Sequence, residues 1–302
     1  MRFGGHETFA IREGWLHKGL RLLVEESARF HDPNVADWLG VGRNMGKSIM
    51  HWLLATGLGS APLRTDSEVQ LQRTELGQLI YDRDPYFLHA GTWWALHVEL
   101  ANCESHAVTW WWFFNRFSLT RFDRAICLAS LRAYLEHAPQ RVPAQKTLQR
   151  DISCLVASYA TVLPAESTDP EEADDCPLRE LGLMTYSRST GSCSLSTAAK
   201  PIPPELLGYA IAKSLFMGIS DQRSCEVTLR EAVSKDGGPG KAFVMGPDAL
   251  FELALKAEQV LDRAELEVSG LGAERTIRLV QRHPREWLAA YYERVVERRH
   301  AA

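Results

Sequence analysis

Residues 35–59, VADWLGVGRNMGKSIMHWLLATGLG, leave the chain few ways to fold. Glycines at 40, 42 and 57 punctuate an otherwise helix-periodic run, so it cannot continue as one long helix. It reads as a short helix, a turn at Gly40–Gly42 and a second helix ending near Gly57. In that arrangement Val35, Ala36 and Leu39 pack the first helix on the second. Met45, Ile49, Trp52 and Leu53 turn toward a core, while Arg43, Asn44 and Lys47 face outward with His51 one turn on. This is the pattern of a helix-turn-helix, whose second helix presents its first residues to a DNA groove.

The flanking segments extend the unit. Residues 13–30 carry Trp15, Leu16, Leu20, Leu23 and Val24 at helical spacing, and Pro33 breaks the run. Glu68 to Gln72 alternate polar and apolar, as a half-buried strand does. Thr74 followed by Glu75 marks the start of another helix. Helix-turn-helix plus a small strand pair predicts a winged helix over residues 1–92.

Five of the nine tryptophans lie in 92–117. Such a run can stack bases, but Trp110 to Phe114 are apolar all round a helix, which predicts burial. A helix over 124–137 and another starting near Gln145 complete a helical domain over 93–163, with a second, degenerate helix-turn-helix exposing Lys146 and Arg150. The acidic stretch LPAESTDPEEADD reads as a linker. Beyond it, 176–302 alternates a hairpin around Gly191, a helix opened by Pro203–Pro204, a helix from Val227, a glycine-rich turn, another helix beginning after Pro247, two short strands and a closing helix. The expected class is mainly α with small β wings (α+β): winged-helix modules, a helical domain and a C-terminal α+β domain.

Net charge is −4, so the chain as a whole does not announce a nucleic-acid partner. Its distribution matters more. Arg116, Arg121, Arg124, Arg132, Arg141, Lys146 and Arg150 face only Asp123 and Glu136 within 116–150. A second patch runs through Arg275, Arg278, Arg282, Arg285, Arg294, Arg298 and Arg299. The six cysteines are scattered without a C-x-x-C pair, which fits reduced thiols and a cytoplasmic location. No long apolar segment or secretion signal is seen. Cys103 and His106 have metal-like spacing without a second ligand pair. Gly237 to Lys241 lacks the spacing and the hydroxyl residue of a phosphate loop.

The opening stretch, FGGHETFAIREGWLHKGL, carries two readings. In one, His6 is a general base, Glu7 a metal ligand or orienter, and Arg12 and Lys18 clamp a phosphate, with Gly4 and Gly5 admitting DNA close to the backbone. In the other it is the ordered start of the fold, with Glu7 or Thr8 capping the first helix and Trp15 filling the core.

Six blocks taken in order carry a resemblance over most of the chain: FGGHETFAIREGWLHKGL, VADWLGVGRNMGKSIMHWLLATGLG, TELGQLIYDRDPYF, TLQRDISCLVASYA, CPLRELGLM and PREWLAAYYE. Together they resemble a bacterial domain-of-unknown-function family encoded beside DNA phosphorothioation genes, the SspB-like nicking components of Ssp defence systems. The resemblance implies a DNA-binding protein that breaks one strand so that sulfur can replace a phosphate oxygen. Cutting a phosphodiester is chemistry that a metal held by carboxylates can supply, so the expected cofactor is Mg or Mn for nicking, with no organic cofactor. The partners the resemblance implies are double-stranded DNA, a cysteine desulfurase, an ATP-dependent sulfur-transfer enzyme and an ATPase. It supplies no catalytic motif. His6 and Glu7 as catalytic residues, and Arg12, Lys18, Arg43, Asn44, Lys47, His51, Lys146 and Arg150 as DNA contacts, rest on chemistry alone; the metal ligands stay unknown. Two other functions stay open: a non-catalytic DNA-recognition adaptor recruiting the sulfur-transfer enzymes, and a transcription regulator.

Overall fold

A computed structural model describes residues 2–61, 71–138, 142–163, 176–215, 224–271 and 274–301. The chain is mainly helical with small sheets and divides into two compact units. The first comprises Met1–Leu88 and Glu99–Ser196, the second His89–Val98 and Thr197–Ala302.

The first unit begins with helix α1 (Trp15–Glu25), a 3-10 turn (Ser27–His31), α2 (Val35–Leu39) and α3 (Arg43–Ala55). Gly40 ends α2 in the left-handed conformation at φ 63°, which a side chain would disfavour. Strands β1 (Gly59–Ser60) and β2 (Gln72–Arg73) then pair antiparallel, Gly59 opposite Arg73. The strand expected from Glu68 begins outside the described residues; its last residue, Gln72, opens β2. Helix α4 (Glu75–Arg83) starts where Thr74 accepts a hydrogen bond from Gly77 N at 3.0 Å. Ile49, Trp52 and Leu53 are fully buried, and α3 packs on α1 and α2.

Helix α5 (Ala90–Asn102) starts among residues of the second unit and ends among those of the first. It is followed by α6 (Val108–Asn115), β3 (Arg121–Phe122), α7 (Arg124–Glu136), α8 (Gln145–Tyr159), β4 (Ala160–Leu163), a 3-10 turn (Pro177–Leu181), β5 (Met184–Ser187) and β6 (Ser192–Leu195). The four strands form one sheet in the order β3-β6-β5-β4, with only β4 and β5 parallel. Trp110 and Trp112 are buried, as an all-round apolar helix requires.

The second unit contains α9 (Pro204–Leu215), β7 (Ser224–Thr228), α10 (Leu229–Ser234), α11 (Pro239–Ala242), α12 (Pro247–Val260), β8 (Leu266–Leu271), β9 (Glu274–Val280) and α13 (Pro284–Ala301). Its sheet runs β7-β9-β8, all antiparallel. A capping box between Thr228 and Glu231 starts α10. Gly208 of α9 lies against the buried Trp287 ring of α13.

The units do not follow the expected divisions at 92 and 163. Strand β4, just before the acidic stretch, pairs with β5, just after it, so 176–196 belongs with the first unit. The acidic stretch from 164 to 175 lies outside the described residues.

Candidate functional site

The chain coils tightly before α1. Gly4, Glu7 and Thr8 all sit in the left-handed region, at φ 67°, 49° and 76°. That conformation suits glycine, but a β-branched threonine adopts it only under strain. Hydrogen bonds from Glu7 N to Gly4 O and from Phe9 N to His6 O close the coil. The result turns His6 inward, 1% exposed.

His6 meets Asp151 of α8. Its Nε2 lies 3.0 Å from Asp151 Oδ1, and Thr8 N donates to its Nδ1 at 3.0 Å. The bond from Thr8 N fixes the tautomer: Nδ1 accepts, so Nε2 carries the proton and donates to the carboxylate. Gly4 N also donates to Asp151 Oδ1 at 2.9 Å, and Thr109 Oγ1 donates to Oδ2 at 2.9 Å. Asp151 is therefore a buried carboxylate with three donors, the arrangement that makes burial of a charge tolerable. The His6 ring stacks on Trp52 and meets the edges of Trp110 and His51.

Beside this pair lies a narrow cleft, too tight to admit a water molecule. It is lined by Arg2, Gly4, His6, His51, Thr109, Trp110 and Asp151, with His106 to Val108 along one wall. His51 is 2% exposed, and neither ring nitrogen has a hydrogen-bond partner in the protein. Burial, with His6, Arg2 and His106 nearby, holds its pKa down at about 3. It is thus a neutral imidazole at ordinary pH. His106 is also held low by burial and Arg2.

The sequence-expected residues separate into groups. Of the four in the opening strip, only His6 lines the cleft. Its orienting carboxylate is Asp151, not Glu7, which is half-buried in the coil. With both nitrogens engaged, His6 has none free to act as a base in this arrangement. Arg12 lies over the Phe9 and Trp15 rings. Lys18, exposed on α1, borders a separate mixed-charge groove with Arg21, Glu25, Asp37 and Trp38. Neither Glu7 nor Thr8 caps α1, whose N-cap is Gly14. Gly5 makes room for the chain's own His51: a Cβ there would lie 2.4 Å from His51 Nδ1.

Arg43, Asn44 and Lys47 are exposed on the first turns of α3. Arg43, Lys47 and His51 are four residues apart and form one stripe, exposed at its start and buried in the cleft at its end. Lys146 and Arg150 form an equivalent exposed pair on α8, immediately before Asp151. These two helices thus both reach into the cleft, α3 through His51 and α8 through Asp151.

The C-terminal basic patch is different in kind. Arg275 pairs with Asp248 at 3.3 Å, Arg278 with Glu267 at 3.6 Å and Arg282 with Glu265 at 2.6 Å. Arg294 holds the buried Glu205 through both carboxylate oxygens. These arginines are matched by acids that lie before residue 275, outside the stretch that reads as unbalanced in the sequence.

Asp151 had a detectable signal. It interrupts the apolar face of α8 formed by Leu148, Ile152 and Leu155, and a carboxylate there must have partners. His51, between Ser48 and Trp52 on the inner side of α3, carries the same signal.

Among the described residues, no group of three or more His, Cys, Asp or Glu side chains is placed to hold a metal. The cleft does not fit magnesium: its one lining carboxylate has both oxygens committed to Gly4, His6 and Thr109. Cys103 has Ser105 Oγ 3.8 Å from its sulfur. The six cysteines are free thiols. No helix among the described residues is long and apolar enough to cross a membrane.

A family model described as a protein of unknown function, DUF4007, matches residues 3–292. Two similar solved structures are an SspB crystal structure and a magnesium ion-bound SspB crystal structure. Each has a TM-score of 0.83 and 23% sequence identity, over 96% of this chain and 88% of the other. The likeness shows a shared fold. A comparison with curated proteins gives no match.

Proposed function

The chain belongs to the DUF4007 family, and from that premise we propose that it is the DNA-binding, strand-nicking component of a phosphorothioation system of the Ssp type. The observation that carries the reading is that the two helices carrying exposed Arg43, Asn44 and Lys47 (α3) and exposed Lys146 and Arg150 (α8) each place a residue, His51 and Asp151, in the lining of one cleft. Side chains four residues apart on a helix are about 6 Å apart along its axis, a spacing suited to successive backbone phosphates. In the first unit, α1, α2 and α3 precede the β1–β2 ribbon. The same unit then runs α6, β3, α7, α8, β4, β5 and β6, with β3 paired to β6 and β4 parallel to β5. Both orders support winged-helix modules with α3 and α8 as recognition helices.

Two SspB structures share this fold, one of them magnesium-bound. That likeness supports a role in the Ssp system alongside its desulfurase, sulfur-transfer enzyme and ATPase, and nicking that depends on Mg or Mn. No step through a metal is derived at the cleft, whose carboxylate is fully engaged. The same fact favours a second reading, a non-catalytic adaptor that holds DNA for the sulfur-transfer enzymes.

Supercoiled plasmid incubated with pure protein and Mg²⁺ or Mn²⁺ separates the two. Conversion to relaxed circles is the expected result. A mobility shift without relaxation supports the adaptor, and neither outcome removes DNA as the partner.

A further inference from the structure

Helix α8 turns one face to solvent, and that face carries no acid. Leu148, Ile152, Leu155 and Tyr159 bury the inner side. Gln145, Lys146, Gln149, Arg150 and Ser153 are exposed. Asp151, the helix's one carboxylate, is buried and accepts from Gly4, His6 and Thr109. A helix face that serves solubility gains from opposite charges four residues apart; here cations stand beside amides instead. Residues four apart share a stripe, so the face divides in two: Lys146 with Arg150, and Gln145 with Gln149 alongside. Neither glutamine side chain is engaged by another described residue. Exposed Asn44 beside Arg43 and Lys47 repeats the pairing on α3.

The two stripes suit different parts of a duplex. Ammonium and guanidinium groups take phosphates whatever the sequence. A glutamine amide offers a donor and an acceptor side by side. In the major groove that matches adenine, whose N7 accepts and whose N6 amino group donates; guanine presents two acceptors there. Gln145 and Gln149 are about 6 Å apart along the helix axis, close to two base steps of about 3.4 Å each.

Given the DNA reading above, on which this rests, we propose that α8 reads sequence as well as backbone. Lys146 and Arg150 hold phosphates, and Gln145 and Gln149 each pair with an adenine in the major groove. The partner is then a duplex with two adenines about two steps apart, rather than duplex DNA in general.

The test is selection of bound duplexes from a library with a randomised centre, followed by sequencing. It is run with the full chain and with Gln145→Ala, Gln149→Ala, Gln149→Arg and Lys146→Ala. These side chains are exposed, so each variant should keep the parent's circular dichroism. The parent should enrich the adenine pair, favouring adenine at each position by at least about fivefold. Each glutamine-to-alanine change should erase the preference at one position and leave the other. Gln149→Arg should move it to guanine, which a guanidinium grips at O6 and N7. Lys146→Ala should lower affinity for all sequences alike and keep the preference. Duplexes retained without an adenine pair, or a pair that every glutamine variant still selects, overturn adenine recognition by α8 and leave DNA binding standing. A library from which no duplex is retained removes the DNA reading, and adenine recognition with it.

Discussion

His6 and Asp151 are 145 positions apart in the chain and 3.0 Å apart in the fold. Their bond ties the coil before α1 to helix α8, and Asp151 receives two further donors from Gly4 and Thr109. Asp151→Ala strands all three donors in a buried place and should cost about 3–5 kcal/mol. Asp151→Asn keeps an acceptor for His6 and Gly4 and presents its amide to the Thr109 hydroxyl, so it should cost about 1–2 kcal/mol. Urea midpoints of the two variants check this order. Equal destabilisation by both would mean that the pair matters only as volume.

Acid should weaken the first unit well before its carboxylates are neutralised. His51 titrates at about 3 when folded, against an ordinary value of 6.5. Between those values the unfolded chain binds a proton that the folded chain refuses, so stability is full above about pH 6.5 and falls as pH drops. At pH 5 the expected loss is about 2 kcal/mol. His97, held at about 4 by burial in the second unit, acts there with the same sign. Chemical denaturation at pH 7.5 and 5.0 measures the slope, and His51→Gln should flatten it for the first unit. A slope that this substitution leaves intact would place the titrating group elsewhere.

Gly208 gives the second unit a sharp packing test. A Cβ there would fall 2.5 Å from Trp287 Cδ2, in the interface between α9 and α13. Neither the backbone nor a buried indole gives way cheaply, so Gly208→Ala should destabilise by about 1–3 kcal/mol. Thermal melts followed by tryptophan fluorescence read it. An unchanged midpoint would show that α13 can slide.

What could be read from the sequence was what is punctuated locally. Gly40 and Gly42 bracket the turn between α2 and α3, Thr74 caps α4, Gly191 turns the hairpin, and Pro204 and Pro247 open their helices. Each is a residue whose own backbone or side chain dictates the break. Strands β3 and β7 escaped, because a two-residue strand has no period and β7 shows too few residues to separate alternation from chance. The cleft escaped for another reason. Arg2, His51, His106 and Asp151 come from four segments, and only the folded chain brings them together. The direction of His6 was not legible in the opening strip either, because the left-handed coil at Glu7 and Thr8, which sends it inward, has no signature in the residue types.

The central claim is that α3 and α8 together hold duplex DNA beside the cleft, and the salt dependence of binding tests it most directly. Removing one cation that neutralises a DNA phosphate lowers the slope of log affinity against log salt by close to one. The account predicts that Arg43→Ala with Lys47→Ala, and Lys146→Ala with Arg150→Ala, each make the slope shallower by about 2. The four changes together should reduce it by about 4, with the fold unchanged because all four side chains are exposed. A quadruple variant that keeps the parent's affinity and slope would contradict the account, since DNA would then bind through some other face.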